Sequence, residues 1–453
     1  MKTLDTTRST AANSDLFDFT QGLDVDKRMA CEEVQVQKAW VKALEKSGHI
    51  TSPESKALIK TLSAALQAME DESFDWQVSD EDIHMNLERY LTEKLGSVGE
   101  KVHLGRSRND LVATTLRLFT ANKITELADL TLGLAATLHA KGENWLKVII
   151  PGLTHLQFGQ PMRLSHVISA HGFAVLRDLE RLDAAVKITM SEMPLGAGAF
   201  AGTHLKIDLV KLAKTLGFTR PANNSYDSVG DRDFMLESLN ATALLAMHIS
   251  RLTEEILFWS STPIAVLKLP FDWSTGSSIM PNKRNPDVPE ITRAKMARVI
   301  ARAGEGLAIM RVVTPSYGSD LHELKRTFLS AMDEMMQVLP VLTAFLDHLE
   351  VNADAAERLL KKGHILATDL ANASVRDGIS FRDAYRKIAK LVSIAESMGC
   401  QVQETAEAVS LAGGTITAED AVEARDNHGG TSLRQTSATL KTLGSALEQR
   451  VKL

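Results

Sequence analysis

The chain has 453 residues, 44% of them hydrophobic and 24% charged, with a formal net charge of −6 at pH 7. That length supports two or three domains or one large helical body, and the composition argues against both a disordered chain and a membrane-embedded one. The acidic balance lacks the basic excess of a nucleic-acid binder, so the expected partners are small molecules, with no nucleic acid and no membrane.

The opening stretch, MKTLDTTRSTAANSD, is polar and has no apolar h-region, so it reads as a loose leader rather than a signal peptide. Cys31 and Cys400, the only two cysteines, build neither a disulfide framework nor a thiolate metal site, and both read as small core hydrophobes in a reducing cytosol. EDIH, Glu81 to His84, reads as a helix start. GRSRND, Gly105 to Asp110, falls at a loop-to-helix junction, where Ser107, Arg108 and Asn109 offer donors beside a helix N-terminus; a simple N-cap with solvated arginines fits the same residues. A long helical pattern follows over 106 to 145. PGLTHLQFGQP, from Pro151, then sets Thr154, His155 and Gln157 between prolines, and a lone histidine of this kind is more often structural than catalytic.

From Val175, the residues Leu179, Leu182, Val186 and Met190 recur at steps of three and four while Arg177, Glu180, Arg181 and Asp183 take the other faces, which predicts an amphipathic helix. PLGAGAFAGT holds Gly196, Gly198 and Gly202, a near miss to a dinucleotide fingerprint. No strand precedes it and its spacing is wrong, so it reads as a tight interhelical connection. The stretch from Pro221 to Pro263 opens with a turn-like NNSYDS and runs on without a breaker, long and apolar enough to be buried among other helices.

GSSIMPNKRNPD, residues 276 to 287, breaks the pattern. Pro281, Pro286 and Pro289 forbid a long helix there, Gly276 frees the backbone, and Lys283 and Arg284 make the neighbourhood positive. Ser277, Ser278, Lys283 and Asn285 are groups suited to gripping an anion and moving a proton; a solvated linker is the alternative. Helical pattern resumes over 290 to 312. Few runs alternate at period two, and shorter helical segments lie before about residue 105 and after about residue 356. The expected fold is all-α, with a long central helical bundle (106–355) and two smaller, mainly helical flanking domains (1–105 and 356–453).

Taken together, these segments resemble the argininosuccinate lyase family of the fumarase/aspartase superfamily. The loop at 276 matches the superfamily signature of Gly-Ser-Ser, a hydrophobic residue, Met-Pro, a variable residue, Lys, another variable residue and Asn. VHLGRSRND, PGLTHLQFGQP, DSVGDRDF, PSYGSDLHELK, GHILATDLA and HGGTS fall in the order and spacing of the family's blocks, from about residue 17 to about residue 435, and GRSRND points to this branch. The resemblance implies a homotetramer with a twenty-helix core and sites shared between subunits. It also implies a cytoplasmic carbon-nitrogen lyase without cofactor or metal that eliminates fumarate from an N-succinyl substrate. Cleavage of argininosuccinate to arginine and fumarate, in arginine biosynthesis, is the first reading. Release of fumarate from another N-succinyl amine or amino acid is the alternative, and a crystallin-like structural protein the least favoured.

By the same resemblance, Ser277 takes the proton from carbon, its alkoxide stabilised by positive charge and loop amides, while Lys283 and Asn285 meet the charge that develops on the carboxylate. Ser107, Thr154 and Ser278 contact the substrate, the first two on its fumarate part. His155 is the site histidine, paired with Glu290. Arg108, Asn109, Tyr317 and Lys325 hold the amino-acid portion, with His322 beside them where the family usually has glutamine. The chain also departs from the family at Gly22, where a serine is common, and at Leu104, where a threonine is usual. Most of these changes concern the amine side.

Overall fold

The structure, a computed structural model, describes residues 19–376 and 378–451, so the polar opening stretch lies outside the described residues. The main helices are α1 (Ala30–Lys46), α2 (Ser52–Glu70), α3 (Ile83–Leu95), α4 (Arg108–Asn144), α5 (Leu164–Thr189), α6 (Asp233–Ser260), α7 (Asp287–Met310), α8 (Asp320–Asp347), α9 (Ala367–Arg376), α10 (Phe381–Met398) and α11 (Leu433–Val451). Among the described residues strand structure is confined to two-stranded pairs, of which β1 (Ile149–Thr154) with β2 (Gln157–Arg163), and β3 (Thr275–Gly276) with β4 (Arg284–Asn285), bear on function. The all-α expectation holds, with α4, α5, α6, α7 and α8 as the long helices. The hairpin at 149 to 163 and the short ladder flanking Ser277 are additions that the sequence reading did not contain.

Two compact units are present. The first takes residues up to Ala128 with Glu180–Leu244 and Arg298–Glu334; the second takes Asp129–Leu179, Leu245–Ala297 and the chain from Met335. Each of the five long helices contributes residues to both.

In the first unit, α1, α2 and α3 pack their apolar faces together, and Trp40, Leu44, Leu58, Leu62, Ile83, Leu87 and Leu91 are fully buried. Local chemistry sets the helix ends. Thr51 and Glu54 form a capping box at α2, and Asp82 accepts from the Met85 amide at 2.8 Å to start α3, as EDIH predicts. A buried polar cluster sits within this core: Glu33 accepts from Gln37 Nε2 (2.6 Å) and Thr115 Oγ1 (2.8 Å). His84 Nδ1 lies 2.8 Å from Glu33 Oε1, off the line of a well-formed hydrogen bond, so the contact is ionic. Cys31 is exposed, which corrects its reading as a core residue, whereas Cys400 is half-buried and packs against an apolar core cluster. NNSYDS is likewise not a turn: Asn224 accepts from the Tyr226 and Asp227 amides and caps a short helix, Ser225–Gly230.

In the second unit, the hairpin pairs Ile149 with Arg163 and Thr154 with Gln157, with an irregularity between Pro151 and Leu153. Arg163, 1% exposed, reaches from β2 to Glu419 (2.7 Å) and Glu423 (2.5 Å), anchoring the base of the hairpin. Helices α9 and α10 share a small core of Leu370, Ala384, Ile388, Leu391 and Ala395, with Ser380 capping α10 and Gly399 ending it in the left-handed conformation. Among the described residues, α8 is the one helix long and apolar enough to cross a membrane, and half of that stretch is buried, as befits a core helix.

Candidate active site

The GRSRND turn is built around one carboxylate. Ser107 caps α4 by accepting from the Asn109 amide at 3.2 Å, and Asp110 reaches back to accept from the Ser107 amide at 3.0 Å. The second oxygen of Asp110 accepts from the amides of Gly196 (2.9 Å) and Gly198 (2.8 Å). That is the role of the glycine-rich PLGAGAFAGT: Gly196, Gly198 and Gly202 have φ of +104°, +62° and +88°, and a Cβ on Gly198 would lie 2.6 Å from the Gly202 carbonyl oxygen. The connection wraps its backbone donors around Asp110. Asn109 Nδ2 donates to the Ala199 carbonyl at 3.3 Å, so the same loop positions the next side chain.

Beyond this turn opens a cavity of about 270 Å³, lined by Arg108, Asn109, Tyr317, His322 and Lys325 together with Asp26, Glu81 and Asp82. Five residues assigned from sequence to the amine side therefore converge on one pocket. The three acids were not singled out as site residues; the only signal was the acidic pair opening EDIH. They hold the cations: Arg108 pairs with Glu81 (3.3 Å) and Asp82 (3.2 Å), and Lys325, 4% exposed, pairs with the buried Asp26. Arg232 lies fully buried, donating to the Val229 (3.2 Å) and Asp231 (2.7 Å) carbonyls, and burial lowers its guanidinium to about 10. The Tyr317 hydroxyl is hydrogen-bonded to His322 Nε2. Burial and the Lys325 ammonium push the His322 imidazole down to about 4, so the ring is neutral near pH 7. Burial also raises the Tyr317 phenol above its ordinary range.

The remaining candidates belong to the second unit. Ser277 is half-buried at the start of the 277–283 loop, held between β3 and β4, whose register pairs Thr275 with Asn285 and Gly276 with Arg284. Its Oγ accepts from the amides of Ile279 (3.3 Å) and Met280 (3.1 Å). Asp287 closes the base, accepting from the Thr275 amide (3.1 Å) and hydroxyl (2.6 Å), while Asn285 Nδ2 donates to Thr275 Oγ1 at 3.3 Å. Ser278 and Lys283 are exposed. Arg284 stacks over the exposed Phe271 ring at 4.2 Å. Thr154 and His155 stand at the hairpin tip, where His155 and Leu156 form a two-residue turn with φ of +54° and +59°. Consecutive positive φ values at non-glycine residues are costly and recur at functional sites. Glu290 is exposed on the first turn of α7, and among the described residues no ion pair joins it to His155 within the chain.

A long-helix body, a serine loop whose amides converge on a hydroxyl and a pocket of paired charges define a lyase of the fumarase/aspartase fold. Solved structures agree on the fold: an EDDS lyase bound to formate superposes with a TM-score of 0.81 at 24% identity, covering 96% of this chain and 88% of that one. A class II fumarase of Schistosoma mansoni gives 0.74 at 19%, covering 90% and 93%. The lyase family model matches residues 7–301, and the argininosuccinate lyase C-terminal model matches residues 364–424. The argininosuccinate lyases of Geobacter sulfurreducens (36% identical over 94% of either chain) and Deinococcus deserti (38% over 95% of this chain and 94% of that one) align nearly end to end. The chain belongs to the argininosuccinate lyase family.

Proposed function

We propose that the protein cleaves argininosuccinate to arginine and fumarate, acting as a cytoplasmic enzyme of arginine biosynthesis without metal or cofactor. The observation that carries this reading is the convergence of Arg108, Asn109, Tyr317, His322 and Lys325, with Asp26, Glu81 and Asp82, on one cavity. Cations and anions side by side suit a zwitterionic α-amino acid, which is what the departing half of argininosuccinate carries.

In this reading Ser277 acts as alkoxide and removes a proton from the carbon beside a carboxylate. A serine hydroxyl is a very weak acid, and two loop amides aimed at Oγ are the kind of donors that stabilise its anion. The electrons left on carbon move into the carboxyl group, which takes on a second negative charge as the aci-carboxylate. Lys283 and Asn285 meet that charge, each such donor being worth about 3 kcal/mol, while Ser107 and Thr154 hold the fumarate part and Ser278 contacts the substrate. The electrons return to form the carbon-carbon double bond as the carbon-nitrogen bond breaks. The departing nitrogen belongs to a guanidine, a strong base whose conjugate acid has a pKa near 12.5, so it leaves far better as the protonated guanidinium. His155, oriented by Glu290, serves that protonation. The serine loop, the hairpin and the pocket are brought into a common site by separate subunits of a homotetramer.

The test is fumarate absorbance on mixing purified protein with argininosuccinate. Fumarate release supports the reading; release only from other N-succinyl amines moves the leaving group, and release from none defeats it. Ser277→Ala is expected to lower turnover at least a hundredfold, as loss of positioned proton transfer does, with the helical content intact. Near-normal turnover removes Ser277 from its role.

A further inference from the structure

Gly22 and His322 lie three hundred residues apart in the chain, yet they touch. A Cβ added to Gly22 would sit 3.1 Å from His322 Nδ1, a spacing tighter than ordinary van der Waals contact. The backbone does not require glycine here: Gly22 has φ −123° and ψ 11°, open to any side chain. What the missing side chain preserves is space in front of one nitrogen. That nitrogen is buried and has no hydrogen-bond partner among the described residues, whereas the opposite one, Nε2, is bonded to the Tyr317 hydroxyl. A buried polar atom left unpartnered beside a cavity is costly unless something arrives to pair with it.

The tautomer follows from donor strength. A phenol is a stronger acid than a neutral imidazole N–H, and an imidazole lone pair accepts better than a phenolic oxygen, so the favoured arrangement is O–H donating to Nε2. With one proton on a neutral ring, Nδ1 then carries it. The lowered basicity of His322 accords with a ring that stays neutral. Of the charges that act on the ring, the Lys325 ammonium weighs most, ahead of the Asp26 and Asp82 carboxylates and the Arg232 guanidinium.

We propose that Tyr317, His322 and Gly22 form one recognition device: Tyr317 fixes the tautomer, and Nδ1–H, reached through the gap at Gly22, donates to the α-carboxylate of the departing amino acid. This rests on the functional reading above, since it specifies how the same pocket selects an amino-acid leaving group. Tyr317 and Gly22 are positioning residues, acting through the imidazole.

The experiment is a double-mutant cycle in Gly22→Ala and His322→Gln, with steady-state kinetics on argininosuccinate. Gly22→Ala is expected to raise KM about tenfold or more, the cost of one hydrogen bond to a charged group, with kcat within a few-fold. In the His322→Gln background the same substitution has no imidazole to crowd, so its penalty disappears. In ¹⁵N spectra, His322 of the unmodified protein shows the Nδ1–H tautomer, and Tyr317→Phe releases it toward Nε2–H. Equal penalties in both backgrounds, an unchanged KM in Gly22→Ala, or an Nε2–H tautomer with Tyr317 present would each overturn the proposal while leaving the functional reading intact. Absence of fumarate release by the unmodified protein defeats the functional reading instead, and the spectra still decide the tautomer.

Discussion

Asp110 is the carboxylate around which the GRSRND turn is built. It is fully buried, and its two oxygens accept three backbone amides, those of Ser107, Gly196 and Gly198. Burial raises its carboxyl, against the lowering effect of those three donors. Asp110→Ala strands the two buried glycine amides and the half-buried Ser107 amide. A stranded buried donor costs about 1–3 kcal/mol, and water recovers part of the Ser107 loss, so the expected destabilisation is about 3–6 kcal/mol, a large share of a usual total of about 5–15 kcal/mol. Asp110→Asn is milder, because its carbonyl oxygen can stay on both glycine amides and only the Ser107 amide meets an NH₂ group; about 1–3 kcal/mol is expected. The assay is urea denaturation at fixed protein concentration, read by circular dichroism, with fumarate release measured in parallel. The order Ala worse than Asn worse than unmodified is the signature. An Asp110→Ala cost below about 1 kcal/mol would refute the idea that the carboxylate organises this turn.

Two further outcomes follow from the same geometry. Burial opposes the charge on His84, but the Glu33 and Asp82 carboxylates outweigh it and raise the imidazole above its ordinary 6.5; burial likewise opposes ionised Glu33, and the His84 charge wins, lowering the carboxyl below 4.5. The raised histidine contributes stability that is full below 6.5 and lost as pH rises through its folded value, while the lowered carboxyl contributes stability present above 4.5 and lost as pH falls through its own. His84→Gln is therefore expected to cost most near pH 5–6 and progressively less on the alkaline side, read as melting temperature against pH; a gap that widens with rising pH would contradict this. At the hairpin tip, Leu156 is 73% exposed with φ +59°. Leu156→Gly removes a left-handed strain of about 1–2 kcal/mol against a glycine entropy cost of about 0.5–1 kcal/mol, so a small rise in the denaturation midpoint is expected, and a clear fall would show that the leucine side chain stabilises the turn.

Much of the helical body was legible because its signals are local. The breaker-free run before Pro263, the three-and-four spacing from Leu179 to Met190 and the helix start at EDIH, where Asp82 caps, each act within a few residues of their neighbours. NNSYDS failed for a local reason too: turn formers and N-caps share a vocabulary, and Asn224 serves as a cap. The reading of Cys31 failed because exposure is a tertiary property. The hairpin escaped because its turn uses His155 and Leu156 instead of the Asn-Gly or Asp-Gly that announces such a turn.

The site divides along the same line. The serine loop is readable because Ser277, its two amide donors and the strands that hold it occupy a dozen consecutive residues, and proline spacing alone excludes a helix. The pocket is not readable by that route, because the partners of its cations come from other parts of the chain: Asp26 for Lys325, Glu81 and Asp82 for Arg108. A family resemblance supplies the cations but says nothing of which acid neutralises each. It also marks Gly22 and His322 as two separate departures, and only the 3.1 Å approach shows them to be one. A side chain at Gly22 would crowd the His322 ring, so the two changes are expected to be tolerable together and harmful apart. An exchange at one position alone therefore measures the cost of a broken pair and not the worth of that residue, which is why the recognition of the amine half has to be tested at both positions at once.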